Sequence, residues 1–112
     1  ILVLKATGEV IGDAGLLLLE LMGRERNDLG YIIDHRFHGR GLATQAAAAM
    51  RDHAFENGVA DLWANMAVDH PASRRVAEKV GMHLVATFVN PRNRDKETCL
   101  LGLDADGTAP TP

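Results

Sequence analysis

Cysteine is nearly absent: Cys99 stands alone in 112 residues. That rules out an internal disulfide and fits a reducing, cytoplasmic setting. With Leu100 and Leu101 beside it, Cys99 is expected to be a buried structural thiol rather than a nucleophile. Long apolar runs are missing too. None approaches the roughly 20 residues that span a bilayer, and no signal-peptide pattern is present, so no membrane partner is expected. Charge of one sign is not in excess: 12 Lys and Arg against 15 Asp and Glu leave a net charge of −3, which gives no general attraction for nucleic acid. His35 and His38 lie three apart, but no cluster of cysteine or acidic ligands accompanies them, and no metal is expected. No internal repeat or interdomain linker interrupts the chain, and its length leaves room for one domain with one core.

What is present is a regular succession of apolar segments and turn residues. Residues 1–6 read as a strand and residues 7–9 as a tight turn. Residues 10–21 read as a longer strand in which Gly12 and Gly15 are candidate bulge sites. Residues 23–28 (GRERND) read as a polar hairpin loop ahead of an apolar strand at residues 29–33 (LGYII). A helix is expected over residues 43–57, with Ala43, Ala47, Met50 and Ala54 on one face and Gly58 just past its end. Residues 61–67 (DLWANMA) form the next strand, which carries the sole tryptophan, Trp63. Pro71 fits the first turn of a second helix, with Asp69 or His70 at its cap and Gly81 at its end. Residues 83–90 and 97–103 read as a hairpin around a polar turn. The domain covers residues 1–103, and residues 104–112 (DADGTAPTP) read as a disordered tail. The order β-β-β-α-β-α-β-β predicts an α/β (α+β) fold with a mixed central sheet flanked by helices.

The chemistry is concentrated where the strand at residues 29–33 hands the chain to the first helix. Residues 34–45 read DHRFHGRGLATQ. A helix N-terminus offers several free N–H groups and the positive end of a dipole, which together suit a phosphate. Gly39 and Gly41 let the backbone approach a bulky anion, while Arg36 and Arg40 add positive charge. Two nucleotide loops fail on detail. A Walker loop needs Lys and then Ser or Thr after its last glycine, where Leu42 and Ala43 stand. A dinucleotide fingerprint needs a small third residue where Thr44 stands, and its acidic partner finds only Asp61.

A second segment, residues 66–82 (MAVDHPASRRVAEKVGM), completes a pattern. Taken together, His38-Gly39-Arg40-Gly41-Leu42-Ala43 and the run from His70 to Met82 resemble the GNAT acyltransferase superfamily. The likeness is to the branch that includes the ribosomal-protein N-terminal acetyltransferases, and it extends from about residue 11 to residue 103. The first run is similar to that superfamily's Gln/Arg-x-x-Gly-x-Gly/Ala. The second is similar to the branch's Asn-x-Ala-Ser-x-x-Val-x-x-Lys-x-Gly-Phe.

The resemblance implies acetyl-CoA as cosubstrate, lying where two parallel strands splay apart. Its diphosphate would be wrapped by the amides of Gly39, Arg40, Gly41, Leu42, Ala43 and Thr44, beside His38. Its pantetheine arm would pair with backbone groups around Tyr31 and Ile33. An amine would attack the thioester directly, which asks of the protein placement, a polarising N–H and two proton transfers. The implied acceptor is a primary amine, on a protein N-terminus or on a small molecule such as a polyamine or an aminoglycoside.

The departures define the candidate residues. His70 stands where the branch has Asn, and is a candidate for the missing amide contact, for a base, or for a plain N-terminal cap. Ala77 stands where many relatives have a Tyr that protonates the departing thiolate, and Asn65 where some have a Glu base. Ser73 matches the branch and is the candidate for acid or thiolate contact. Asp28, just before the Leu-Gly-Tyr strand, is the candidate base. Relatives carry a strand and two helices before the point at which Ile1 begins, so the chain is expected to be a fragment or a truncated relative. The strand edge so exposed gives reason to expect a homodimer if the piece exists alone. A non-catalytic acyl-CoA-binding or regulatory module is the alternative to an enzyme, and a mononucleotide-binding α/β domain is a third reading.

Overall fold

A computed structural model of the chain describes residues 2–3, 8, 10–33 and 41–112. Its longest ladder joins β2 (Val10–Leu21) to β3 (Arg24–Ile33). The connection is a tight turn at Met22 and Gly23, whose φ values of 52° and 77° suit a two-residue hairpin between right-twisted strands. Residues 23–28 were expected to be a loop; they are strand from Arg24 onward. The physical reason is the sole tryptophan. Arg26 is only 2% exposed, its guanidinium lies 4.2 Å from the Trp63 ring centroid, and its Nε donates to the Leu21 carbonyl at 2.9 Å. Arg24 covers the same ring at 5.4 Å. Arg26 thus roofs the indole from within the fold, while Arg24 lies over the same ring with its side chain exposed.

The β2–β3 register runs without a shift from Gly12↔Ile33 to Leu21↔Arg24, so neither Gly12 nor Gly15 forms a bulge in that ladder. The irregularity falls on the other side of β2, where β1 (Leu2–Val3) pairs Leu2 with Gly12 and Val3 with Val10. The rest of the strand expected over residues 1–6 lies outside the described residues.

Two helices and three further strands follow in the expected order. α1 spans Leu42–Glu56, β4 Asp61–Ala67, α2 Pro71–Lys79, β5 His83–Asn90 and β6 Lys96–Asp104. Among the described residues the strands make one six-stranded sheet in the order β1-β2-β3-β4-β6-β5, with β1 and β5 at its edges. Alternation along each strand gives the sheet two different faces. Leu29, Leu62, Ala64, Met66, Cys99 and Leu101 point to the face covered by α1 and α2. Leu21, Trp63 and Leu100 point to the opposite face, with Leu19, Val85 and Phe88 against them. The small side chains of Ala47 and Ala54, both buried, let α1 lie close on the sheet. Arg51 then ties the two helices by donating through Nη1 to the Val80 carbonyl at 2.8 Å.

The tail is a second correction. Residues 104–112 were expected to be disordered, yet Asp104 N–H donates to Thr108 O at 2.9 Å and Ala105 N–H to Ala60 O at 3.1 Å. Pro110 is buried. It packs where a Cβ on Gly102 would lie 2.5 Å from its Cγ and 2.9 Å from the Trp63 ring, so the absent side chain of Gly102 makes room for both. Among the described residues no helix is long and apolar enough to cross a membrane, and no three His, Cys, Asp or Glu side chains gather as metal ligands.

Candidate functional site

Parallel strands β3 and β4 meet in register at one pair among the described residues, Asp28↔Trp63. Beyond it β3 continues to Ile33 and β4 to Ala67 without pairing to each other. Their facing N–H and C=O groups therefore border a cleft that opens toward the C-terminal ends of both strands. α2 begins at Pro71, a short connection after β4, and α1 packs against β3. The apex of the cleft is the Asp28–Trp63 pair.

Side chains close the apex from both faces. Asn65 Nδ2 donates to Asp28 Oδ1 at 2.8 Å. Asp28 shares its face with its register partner Trp63, on the side of the sheet away from the helices. Burial pushes the Asp28 carboxyl up to about 6, while hydrogen bonds from the Asn65 side chain and main chain pull in the opposite direction. Tyr31 points to the helix face, packs on the main core, and donates its hydroxyl to the Ser73 carbonyl at 3.1 Å. Burial, and then the nearby charge of Asp28, push the Tyr31 phenol up to about 12, so it stays protonated at neutral pH.

At the mouth, Gly41 caps α1 in the left-handed region (φ 71°, ψ 10°), a backbone state that glycine adopts without strain. Among the described residues no side chain caps this helix, and its first turn carries no acidic residue, so none of them competes for the amides of Leu42, Ala43 and Thr44. Gly41 also accepts through its own carbonyl from Gln45 N–H at 3.0 Å, the first helical bond. His38, Gly39, Arg40 and Arg36 lie outside the described residues. Ile33 is the last residue of β3, paired with Gly12 on the β2 side, which leaves its β4 side facing the cleft.

The structure joins Asp28 to Asn65 on one face of the sheet and Tyr31 to Ser73 on the other, each pair by one hydrogen bond. Ser73 contributes its main-chain carbonyl in the first turn of α2, and its side chain is half-buried. His70 is the N-cap of α2 by backbone position only: its side chain is exposed and makes no capping hydrogen bond. Ala77 is buried in the core. Sequence reasoning used Tyr31 only for its main chain and treated Asn65 as a loss. The bonds they make join residues 42 and 37 positions apart, and no local pattern signals either.

Comparison with known proteins places this geometry. A model of the acetyltransferase (GNAT) domain matches residues 1–83. The uncharacterized protein YkkB of Bacillus subtilis (strain 168) is 36% identical over 85 residues, which are 75% of this chain and 49% of that protein. The chain thus spans about half the length of this curated relative. Among solved structures, the ribosomal-protein-S5-alanine acetyltransferase from Vibrio fischeri superposes with a TM-score of 0.79 at 17% identity, covering 96% of this chain and 61% of that one. The structure of yncA, a putative acetyltransferase from Salmonella typhimurium with its cofactor acetyl-CoA, gives 0.74 at 21% identity, covering 94% and 64%. At such identities these two likenesses are of fold.

Proposed function

The chain belongs to the acetyltransferase (GNAT) domain family, and on that premise we propose that it binds acetyl-CoA in the β3–β4 cleft and serves acetyl transfer to a primary amine. The observation that carries this reading is the solitary Asp28↔Trp63 pairing. It leaves a strip of unpaired main chain beside β3, suited to an extended amide-bearing arm that adds to the sheet edge. From Ile33 back to Asp28 is five residues, about 17 Å of strand at roughly 3.3 Å per residue. An arm anchored at the α1 N-terminus and laid along that strip would put its reactive end at the apex.

Each part of the chain then has a task. The amides of Leu42, Ala43 and Thr44, with Gly41 before them, take the diphosphate; the positive helix end favours its charge. The family likeness assigns His38, Gly39 and Arg40 to the same task. Main-chain groups of Tyr31 and Ile33 align the arm. Acetyl-CoA supplies an acetyl group activated as a thioester. Asp28, in the apex, takes a proton from the attacking amine as the C–N bond forms and the C–S bond breaks. A carboxyl near 6 suits that work because it is mostly ionised at neutral pH yet basic enough to accept. The departing sulfur regains a proton from the α2 side, where Ser73 and solvent are the donors at hand, and His70 flanks them.

The acceptor is a primary amine, on a protein N-terminus or on a small molecule. Calorimetric titration with CoA, followed by acetyl-CoA turnover against a panel of amines, tests the proposal. Binding with acceptor-dependent release of CoA supports it. Binding without turnover for any amine points instead to a non-catalytic module. Failure to bind CoA overturns the reading.

A further inference from the structure

Asp28 cannot be understood from burial alone. A half-buried carboxylate on an apolar strand face favours its neutral form, and a neutral Asp28 could not accept a proton. Something must hold it as the anion and hold it still.

The groups around Asp28 narrow the choice. On β2 its register partner is Leu17, which is apolar. On β3, Arg26 shares its face but is engaged with the Leu21 carbonyl and the Trp63 ring, and Arg24 lies over the same ring. Tyr31 feels the Asp28 charge but spends its hydroxyl on Ser73. Asp13 pairs with Ile32 farther along the β2–β3 ladder. Among the described residues only β4 supplies a donor to the carboxylate, and it does so through Asn65, whose Nδ2 reaches Oδ1 at 2.8 Å. A carboxylate only accepts, so the partner atom must be the amide nitrogen.

We propose that Asn65 is a positioning residue for Asp28, its amide fixing one carboxylate oxygen across the apex so that the other faces the cleft as an anion. The inference rests on the acetyl-transfer reading for its purpose, but not for its geometry. Asn65 stands two residues past Trp63, the β4 residue that pairs with β3, so the bond also spans the point at which those two strands part. The main-chain contact from the same residue acts in the same sense. A side chain that stood out in the sequence only as a missing carboxylate thus becomes the reason that Asp28 can serve.

The experiment compares the full chain with Asn65→Leu, which keeps bulk and loses the donor, and with Asn65→Gln, which keeps an amide. The Asp28 carboxyl is titrated directly by carbon NMR, with Asp28→Asn used to assign the signal. Loss of the donor is expected to raise the midpoint by about one pH unit, and Gln to restore part of it. The acid limb of kcat/KM for acetyl transfer should move by the same amount, with the KM for acetyl-CoA within about twofold of the parent. An unchanged midpoint in Asn65→Leu overturns the inference. If that variant does not fold, Asn65→Gln and Asn65→Ser decide it, since both must alter the Asp28 midpoint. Turnover that survives in Asp28→Asn would instead sink the base assignment and leave the NMR result standing on its own.

Discussion

Asp28 and Tyr31, three residues apart on β3, leave the sheet on opposite faces, and each ties that strand to the structure across the gap. Asp28 is bound by Asn65 of β4, and Tyr31 donates to Ser73 of α2. The cleft is therefore braced above and below, and its width is set by side chains where the main-chain ladder ends.

Tyr31→Phe keeps the ring and deletes the brace on the helix face. The Ser73 carbonyl loses its donor in a partly buried setting, so stability should fall by about 1–2 kcal/mol in urea unfolding. The KM for acetyl-CoA should rise more than kcat falls, because the change loosens the arm's channel and leaves Asp28 untouched.

Asp28 makes stability depend on pH with a definite sign. The folded chain holds this proton to about 6, above the ordinary carboxylate range. Between about pH 4 and pH 6 the folded state keeps a proton that the unfolded state has shed, so this group's contribution falls as pH rises through that window. Asp28→Asn removes the penalty and should stabilise the protein at pH 7 by roughly 2–3 kcal/mol, with the gain vanishing toward pH 4. The same change should cost about 10²-fold in turnover. Urea midpoints at the two pH values check the first outcome and steady-state kinetics the second. An Asn variant less stable at pH 7 would show that Asn65 outweighs burial.

Gly41 separates backbone from charge. A Cβ at this position meets nothing within 4 Å, so Gly41→Ala suffers only the left-handed φ of 71°. That costs about 1 kcal/mol, and CoA affinity should stay within a few-fold. Gly41→Glu places a negative charge beside the helix end proposed to hold the diphosphate, and should weaken CoA binding at least about tenfold. Calorimetry on both variants reads the difference; equal affinities would remove the diphosphate from this site.

Gly102→Ala drives a methyl group into Pro110 and the Trp63 ring, at 2.5 Å and 2.9 Å. Overpacking of this kind costs about 1–3 kcal/mol. Pro110→Gly in the same chain should recover part of the loss in thermal unfolding, a non-additivity expected of two side chains competing for one space.

The fold was largely legible in the residues. The limits of β2, β4 and β5 follow from apolar segments bounded by glycine, proline and polar turns, and the helices from their alanine and valine faces with glycines beyond them. The misses share one cause. Residues 24–28 look like loop because they are polar, and residues 104–112 look disordered because they are small and polar. Both instead close over Trp63, which belongs to β4, far from either in sequence. The left-handed glycine directly ahead of α1, Gly41, was readable from local chemistry; the place of Asp28 was not, because it lies within β3 rather than just before a strand. The Asn65 and Ser73 contacts were not, because they arise only when β4 and α2 are brought beside β3.

Trp63 has one further use. It is the chain's single indole fluorophore, it stands opposite Asp28, and two guanidinium groups lie on its ring. A molecule that settles at the apex must disturb the field around that ring, so emission from the native protein can report occupancy without any attached dye.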